Sequence, residues 1–329
     1  MDTETGSRPG QELTFVVPLV CPECHGRLER EGERLGCVSC RKTYPFTGGF
    51  PDLIVGGRFD DAPDEEMLKH EENFNAYTTA NYWIPKFQRL FPDRSRRHRL
   101  LSLGCGTGAD VDALYDAGFD CVGIDCGNRT SVWPRRRHRD SLLLANGMNL
   151  PFKDETFDGI FCGCVFPHVG VEGDSYKVTP TYHEDRARLA REMARVLAPG
   201  GKILVASPNR LFPADIFHGR SCGCYTPRPY SPRDPFLLST ADYRRLFTAA
   251  GCSSAEAQEL TGYWGFIRSR HHLKGYLLGL PVRFVFWLVS RKGLGFLRGS
   301  PLTPWIVVLV EKEGRPGSQV AGESALASA

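Results

Sequence analysis

The chain has little net charge of either sign: 41 Lys and Arg stand against 38 Asp and Glu in 329 residues, a formal +3. That balance excludes a polyanion partner chosen on charge alone. No apolar stretch approaches the roughly 20 residues that a bilayer span requires. The apolar run 276–289 is interrupted by Pro281 and Arg283. Residues 1–10 are polar and acidic, without the apolar segment of an export signal. No internal repeat is present. Lysine is scarce, 9 against 32 Arg, a ratio more typical of genome composition than of RNA binding. A cytoplasmic protein without a transmembrane segment is the resulting expectation. Composition is ordinary for a globular chain, 41% apolar and 24% charged, which excludes a wholly disordered or fibrous one.

Cysteine is what the sequence has in quantity. Twelve thiols without an export signal point to a reducing compartment, where they serve metals or packing. Four are paired by spacing: Cys21-Pro-Glu-Cys24 and Cys37-Val-Ser-Cys40 form two knuckles. Each knuckle turn offers two thiolates, and zinc takes four in a tetrahedron. A module of about 40 residues buries too little apolar surface alone, so a structural Zn2+ would supply its folding free energy. Cys162/Cys164 and Cys222/Cys224 are isolated C-x-C pairs, too few ligands for a second metal.

The chain divides into a zinc-ribbon module at 13–56, a charged linker at 57–72, a large domain at 73–312 and a disordered tail at 313–329. Short apolar runs alternate with amphipathic ones in the large domain, which predicts an α/β fold with a largely parallel sheet. Strands are expected at 100–103, 120–125, 141–145, 157–162, 202–207, 255–260 and 305–311, and helices at 108–117, 184–197 and 240–250. Pro199-Gly200-Gly201 should end the second of these helices.

Gly104-Cys105-Gly106-Thr107-Gly108 follows an apolar strand and opens a helix. Glycines there allow a tight turn and close approach of a ligand to the backbone. Asp125 closes the next strand, where its carboxylate can accept from both hydroxyls of a ribose. The same loop satisfies the dinucleotide pattern G-x-G-x-x-A, so a nicotinamide enzyme is a competing reading.

Downstream segments separate the two. The run 101–108, then Leu150-Pro151-Phe152 with Phe157-Asp158, then Glu192-Met193-Ala194-Arg195-Val196-Leu197 with Pro199-Gly200-Gly201-Lys202, resembles the class I S-adenosylmethionine-dependent methyltransferases in order and spacing. Residues 15–55, with Tyr44-Pro45-Phe46 and Phe50-Pro51 after the knuckles, resemble the small zinc-ribbon proteins that activate methyltransferases. The resemblance implies a Rossmann-like, seven-stranded, mostly parallel sheet with helices on both faces and a fused ribbon. It implies S-adenosyl-L-methionine as cofactor, bound by Gly104, Cys105, Gly106, Thr107, Gly108, Asp125, Cys126, Asn146, Gly147 and Met148. Asn146 stands where the family usually has an acidic residue facing the adenine amine.

His168 lies beyond the C-terminal end of the fourth strand, where substrates sit in such sheets, and is the candidate general base. His183 with Glu184 and Asp215 with His218 are weaker alternatives. Tyr77, Tyr82 and Trp83 fall on a helix that covers the cofactor in relatives. No Asn/Asp-Pro-Pro-Tyr/Phe motif for exocyclic-amine methylation follows the fourth strand. Insertions near 208–239 and 263–303 are long enough for lids. The second, with its apolar run, suits a lid over a small, hydrophobic or amphipathic acceptor for O- or C-methylation. Peripheral membrane contact through 276–289 is another use of the run. An RNA methyltransferase docking through the ribbon and the basic clusters 94–99 and 135–139, and a non-catalytic zinc-bearing adaptor, are the alternatives.

Overall fold

The computed structural model describes residues 15–59, 63–173, 175–216, 228–229, 233–263 and 273–315. Its centre follows from seven apolar segments that alternate in side-chain direction. They are β5 (Arg99–Leu103), β6 (Asp120–Asp125), β7 (Leu142–Leu144), β8 (Phe157–Gly163), β9 (Leu197–Pro208), β12 (Ser254–Ala257) and β13 (Trp305–Glu311). The two-residue strands β10 (Ala214–Asp215) and β11 (Arg228–Pro229) pair only with each other. The sheet order is β12-β13-β9-β8-β5-β6-β7, with β13 antiparallel to both neighbours and the other pairings parallel.

Both faces of the sheet are covered. Leu101, Ile160 and Ile203 face Leu189 and Met193 of α4 (Tyr182–Val196) and Phe247 of α5 (Thr240–Ala249) in one core. Leu100, Phe161 and Leu204 belong to the opposite core, with Val111 and Leu114 of α3 (Ala109–Asp116) and Phe87 of α2 (Ile84–Leu90). A sheet buried on both faces needs such continuous apolar strands. Helix α5 opens on a reciprocal cap, Ser239 bonding the Asp242 N–H and the Asp242 carboxylate bonding Ser239.

Two expectations need correction. Helix α4 ends at Val196, and Pro199-Gly200-Gly201 lies inside β9 as an irregularity against β8, not at a helix end. Gly200 takes a left-handed φ of +76° there. Second, 57–72 is not a plain linker. Helix α1 (Glu65–Thr78) begins within it, capped by the Asp64 carboxylate on the Met67 N–H, and continues through a π turn at Thr79–Trp83 into α2. The tail expected at 313–329 lies outside the described residues from 316 onward.

The ribbon is an antiparallel sheet, β1 (Leu28–Glu31), β2 (Arg34–Cys37), β3 (Thr43–Thr47) and β4 (Phe50–Pro51), in that order. It has no core of its own. Val17, Leu35, Tyr44 and Leu53 join Leu143, Leu150 and Phe152 in one continuous cluster. The chain leaving the ribbon pairs in parallel with edge strand β7: Asp52 bridges Leu144, and the Leu53 N–H donates to the Leu144 carbonyl at 2.8 Å. An exposed sheet edge is thereby covered.

Candidate active site

Strand β5 ends where its backbone must turn sharply into α3, and Gly104, Gly106 and Gly108 all adopt positive φ there, +73°, +52° and +74°. A side chain at Gly104 would strike Val165, and one at Gly106 would strike Glu71. The N–H groups of Gly104 and Cys105 both donate to the Ile124 carbonyl, at 2.9 and 3.0 Å, which fastens the loop to β6. Trp133, fully buried, donates its indole N–H to the Gly106 carbonyl at 2.8 Å. Phe50 of the ribbon packs edge-on against that indole.

At the end of β6, the Asp125 carboxylate accepts the Gly106 N–H on one oxygen and the Gly127 N–H on the other, each at 2.8 Å. Each carboxylate oxygen has two lone pairs, so a fixed acceptor is presented to the cleft. The Asn146 side chain is spent locally: its amide donates to the Gly57 carbonyl at 3.3 Å and its oxygen accepts the Met148 N–H at 3.0 Å. These bonds shape the loop Asn146–Met148, and Asn146 lines the cleft, its amide carrying two N–H donors. The Phe59 N–H donates to the Cys126 carbonyl at 3.1 Å, so the chain leaving the ribbon lies beside the same loop.

These groups border one cleft of about 510 Å³, a size typical of small-molecule sites. Gly104, Gly106, Asp125, Cys126, Asn146, Gly147, Met148 and His168 all line it. Cys105, Thr107 and Gly108 do not. The Cys105 and Thr107 side chains are buried, so these two contribute loop backbone and not ligand-facing groups. The linker provides Gly57, Arg58 and Phe59, α1 provides Glu71 and Thr78, and the π turn provides Thr79, none of which sequence patterning identified. Arg129, bonded to Glu71 at 2.5 Å, joins them.

Asp110 also lines the cleft from the first turn of α3. Burial pushes its carboxyl up to about 6, against the hydroxyl of Ser102 and the Val111 N–H, which favour the ionised form.

The opposite end of the cleft is aromatic. Trp83, Phe161, Tyr263 and Trp305 meet there, with Tyr263 edge-on to Trp83 at 5.5 Å and tilted against Trp305 at 5.4 Å. Of the three expected cover residues, Trp83 lines the cleft, Tyr82 is buried behind it with its hydroxyl on the Glu259 carbonyl, and Tyr77 is not part of the wall.

His168 follows β8 in a short turn, its ring edge-on to Phe59 at 5.9 Å and Phe236 at 5.5 Å. The buried Arg186 guanidinium fixes that turn by donating to the carbonyls of Val169, Pro167, Pro235 and Phe236. His183, Glu184 and Asp215 do not line the cleft; His218, Cys222 and Cys224 lie outside the described residues.

Of the lid expected from 263–303, residues 264–272 lie outside the described residues. Tyr263 is its only member among the described residues that reaches the wall, while Phe284 and Trp287 face away, 59% and 45% exposed.

Away from the cleft, the sulfurs of Cys21, Cys24, Cys37 and Cys40 lie within 4.8 Å of one another. Cys21 and Cys40 are 3.7 Å apart, and Cys24 and Cys37 3.5 Å. Tetrahedral bonds of about 2.3 Å would set sulfurs about 3.8 Å apart, so the cage fits zinc. For Cys37, desolvation works upward, but the Cys40 N–H, the Cys24 thiol and the Ser39 N–H bring it down to about 7.

A family model described as a methyltransferase domain matches residues 101–205. A probable S-adenosylmethionine-dependent methyltransferase of Mycolicibacterium smegmatis is 26% identical over 57% of this chain and 66% of its own length. Demethylmenaquinone methyltransferase of Corynebacterium urealyticum is 35% identical over 36% of this chain and 48% of that one. Probable tRNA methyltransferase 9B of Mus musculus is 29% identical over 41% of this chain and 27% of that one. The chain thus spans less than two thirds of the length of each of these relatives. The glycine loop and five of the seven sheet strands lie within or beside the segment 101–205, which is similar to a methyltransferase domain.

Proposed function

We propose that the protein transfers a methyl group from S-adenosylmethionine to a small, hydrophobic or amphipathic acceptor. The observation that carries this reading is the aromatic end of the cleft, where Trp83, Phe161, Tyr263 and Trp305 continue directly from the glycine loop. Such a wall suits a nonpolar molecule and offers no phosphate contacts. Half of the arginines in the basic clusters, which an RNA reading requires, are paired with carboxylates of the chain. Arg96 forms a bidentate pair with Asp158, Arg97 bonds Asp120, Arg136 bonds Glu72 and Arg137 bonds Asp116.

S-adenosylmethionine supplies an electrophilic methyl group on a sulfonium. Asp125 would accept from the ribose hydroxyls, the Gly104–Gly106 backbone would lie against the amino-acid part, and Cys126, Gly147 and Met148 would flank the adenine. The aromatic wall excludes water and orients the acceptor, and placing the acceptor atom in line within about 3–3.5 Å of the methyl carbon is the main catalytic task. The His168 ring would take a hydroxyl proton if the acceptor is an alcohol or phenol. A structural zinc in the four-cysteine cage would stabilise the ribbon against β7.

The relative named for tRNA favours one second reading, RNA methylation with the ribbon as docking module. Incubating the protein and isotopically labelled S-adenosylmethionine with cell extract separates the two. Label in the organic-soluble small-molecule fraction is the expected result; label confined to nuclease-sensitive RNA would replace the acceptor class.

A further inference from the structure

We propose that the helix α6 (Leu273–Val289) is an interfacial anchor that seats the molecule on an anionic lipid surface. One side of α6 is fixed. Phe286 and Val289 are buried in the core that holds Tyr263 and Trp305. The Ser290 hydroxyl accepts the N–H groups of Leu260 and Thr261, at 3.0 and 3.1 Å. The Arg298 side chain donates to the Val289 carbonyl at 2.9 Å. The helix therefore cannot roll its other face inward without breaking this packing.

That other face is a stripe. Leu277, Leu280, Phe284 and Trp287 recur at three- and four-residue intervals, on one side of a helix. They are 54%, 44%, 59% and 45% exposed. Phe284 stacks on Trp287, and the Arg291 guanidinium sits 4.1 Å from the Trp287 ring centroid. Contiguous exposure of large apolar side chains marks an interaction surface.

Charge selects the occupant. Between Leu260 and Val310 the sequence has no Asp or Glu, yet it has seven Lys and Arg. Because the whole chain is only +3, the rest of the molecule is net negative. A second copy docking through this face would oppose like charges, which disfavours self-association. A nucleic acid would engage the cations but leave the apolar stripe uncovered. A bilayer bearing anionic headgroups meets both: the stripe enters the headgroup–acyl boundary while Arg283, Arg291 and Lys292 remain at phosphate level. Trp287 beside Arg291 is the amphipathic pairing common at that depth. No described helix is long and apolar enough to cross a membrane, so the contact is one of lying on the surface.

The test uses the full chain and is read without turnover, so it stands apart from the methyl-transfer reading. Vesicles of equimolar phosphatidylcholine and phosphatidylglycerol should co-sediment the protein at least about ten-fold better than phosphatidylcholine alone, and less well as salt rises. Phe284→Ser with Trp287→Ser should lower that binding by about ten-fold or more. Arg291→Glu with Lys292→Glu should lower it comparably and flatten its salt dependence. Both variants change exposed side chains, and unchanged circular dichroism and cofactor affinity would show that they fold. Binding that is indifferent to phosphatidylglycerol, or that survives loss of Phe284 and Trp287, would overturn the proposal. So would sedimentation showing that those two side chains hold a dimer and leave vesicle binding unaffected.

Discussion

The two ends of the cleft are built in opposite ways. The proposed cofactor end is made of backbone held by short-range hydrogen bonds: the glycine loop on Ile124, the Asp125 carboxylate on Gly106 and Gly127, the Asn146 amide on Met148. The proposed acceptor end is made of side chains from segments far apart in the chain. Trp83 follows α1, Phe161 lies in β8, Tyr263 opens the second insertion and Trp305 follows it. A backbone-built site tolerates few substitutions and repeats from protein to protein. A side-chain-built one is free to change with its acceptor.

The largest effect should come from the fixed end. Asp125→Ala removes the proposed ribose acceptor and also leaves the Gly106 and Gly127 N–H groups without their partner. Two hydrogen bonds to a charged group at about 1.5 kcal/mol each correspond to roughly a hundred-fold loss of affinity. Calorimetry with S-adenosylmethionine should show it, together with a lowered thermal unfolding temperature from the two orphaned N–H groups. A loss of less than about three-fold would place the ribose elsewhere and undo the contrast between the two ends.

Next is the ribbon, which supports the proposed cofactor end from behind. Its knuckle residue Pro22 accepts from Asn149, its Val20 N–H donates to Pro151, and its Phe50 supports Trp133 under the glycine loop. Elemental analysis should find one zinc per chain, absent from Cys37→Ser. Losing the cage should cost about 2–3 kcal/mol, or roughly 3–4 °C in Tm for a chain of this length. Cofactor affinity should fall by only a few-fold, because β5, β6 and the glycine loop keep their own bonds. Wild-type protein free of metal when prepared without chelator would remove zinc from the account.

The same contrast decides what was legible in the sequence. Most of the seven strands could be read because each is a local apolar run, β12 (Ser-Ala-Glu-Ala) being the exception, and the glycine loop because its turn requires glycine. The paired motifs have a visible cause: Arg195 donates to the carbonyls of Leu150 and Phe152, and Glu192 accepts the Leu150 N–H. One motif holds the other. What could not be read depends on tertiary contact. The Tyr82 hydroxyl meets a carbonyl 177 residues away, and no periodicity encodes that. The segment 57–72 looked like a linker because its charges conceal that Gly57, Arg58, Phe59 and Glu71 face the cleft. In the second insertion, composition gave the apolar run correctly but not its direction. Phe286 and Val289 face the core, so Phe284 and Trp287 must face out.

The smallest expected effect concerns a charge at the cofactor end itself. Asp110 is buried, and its folded pKa of about 6 exceeds the ordinary carboxyl value of 3.8. The folded state therefore holds this proton more tightly than the unfolded chain does. By linkage, stability from this group is full below the unfolded value, falls as pH rises from about 4 to about 6, and is flat above. About two pKa units correspond to at most about 3 kcal/mol, and relaxation around Ser102 would reduce that. Asp110→Asn keeps the shape without the ionisation. Its oxygen can still accept the Val111 N–H, and the Ser102 hydroxyl can turn to accept from the new amide. Carboxylates held below their usual range, such as Asp158 beside Arg96 and Glu259 beside Lys86, slope the other way in both proteins and cancel in the difference. Denaturant unfolding should thus show Asp110→Asn gaining on wild type as pH rises through that window, by about 1 kcal/mol or more at pH 7. A difference that stays constant from pH 4 to pH 7 would mean that Asp110 is solvated, and that the glycine loop is wetter than its packing implies.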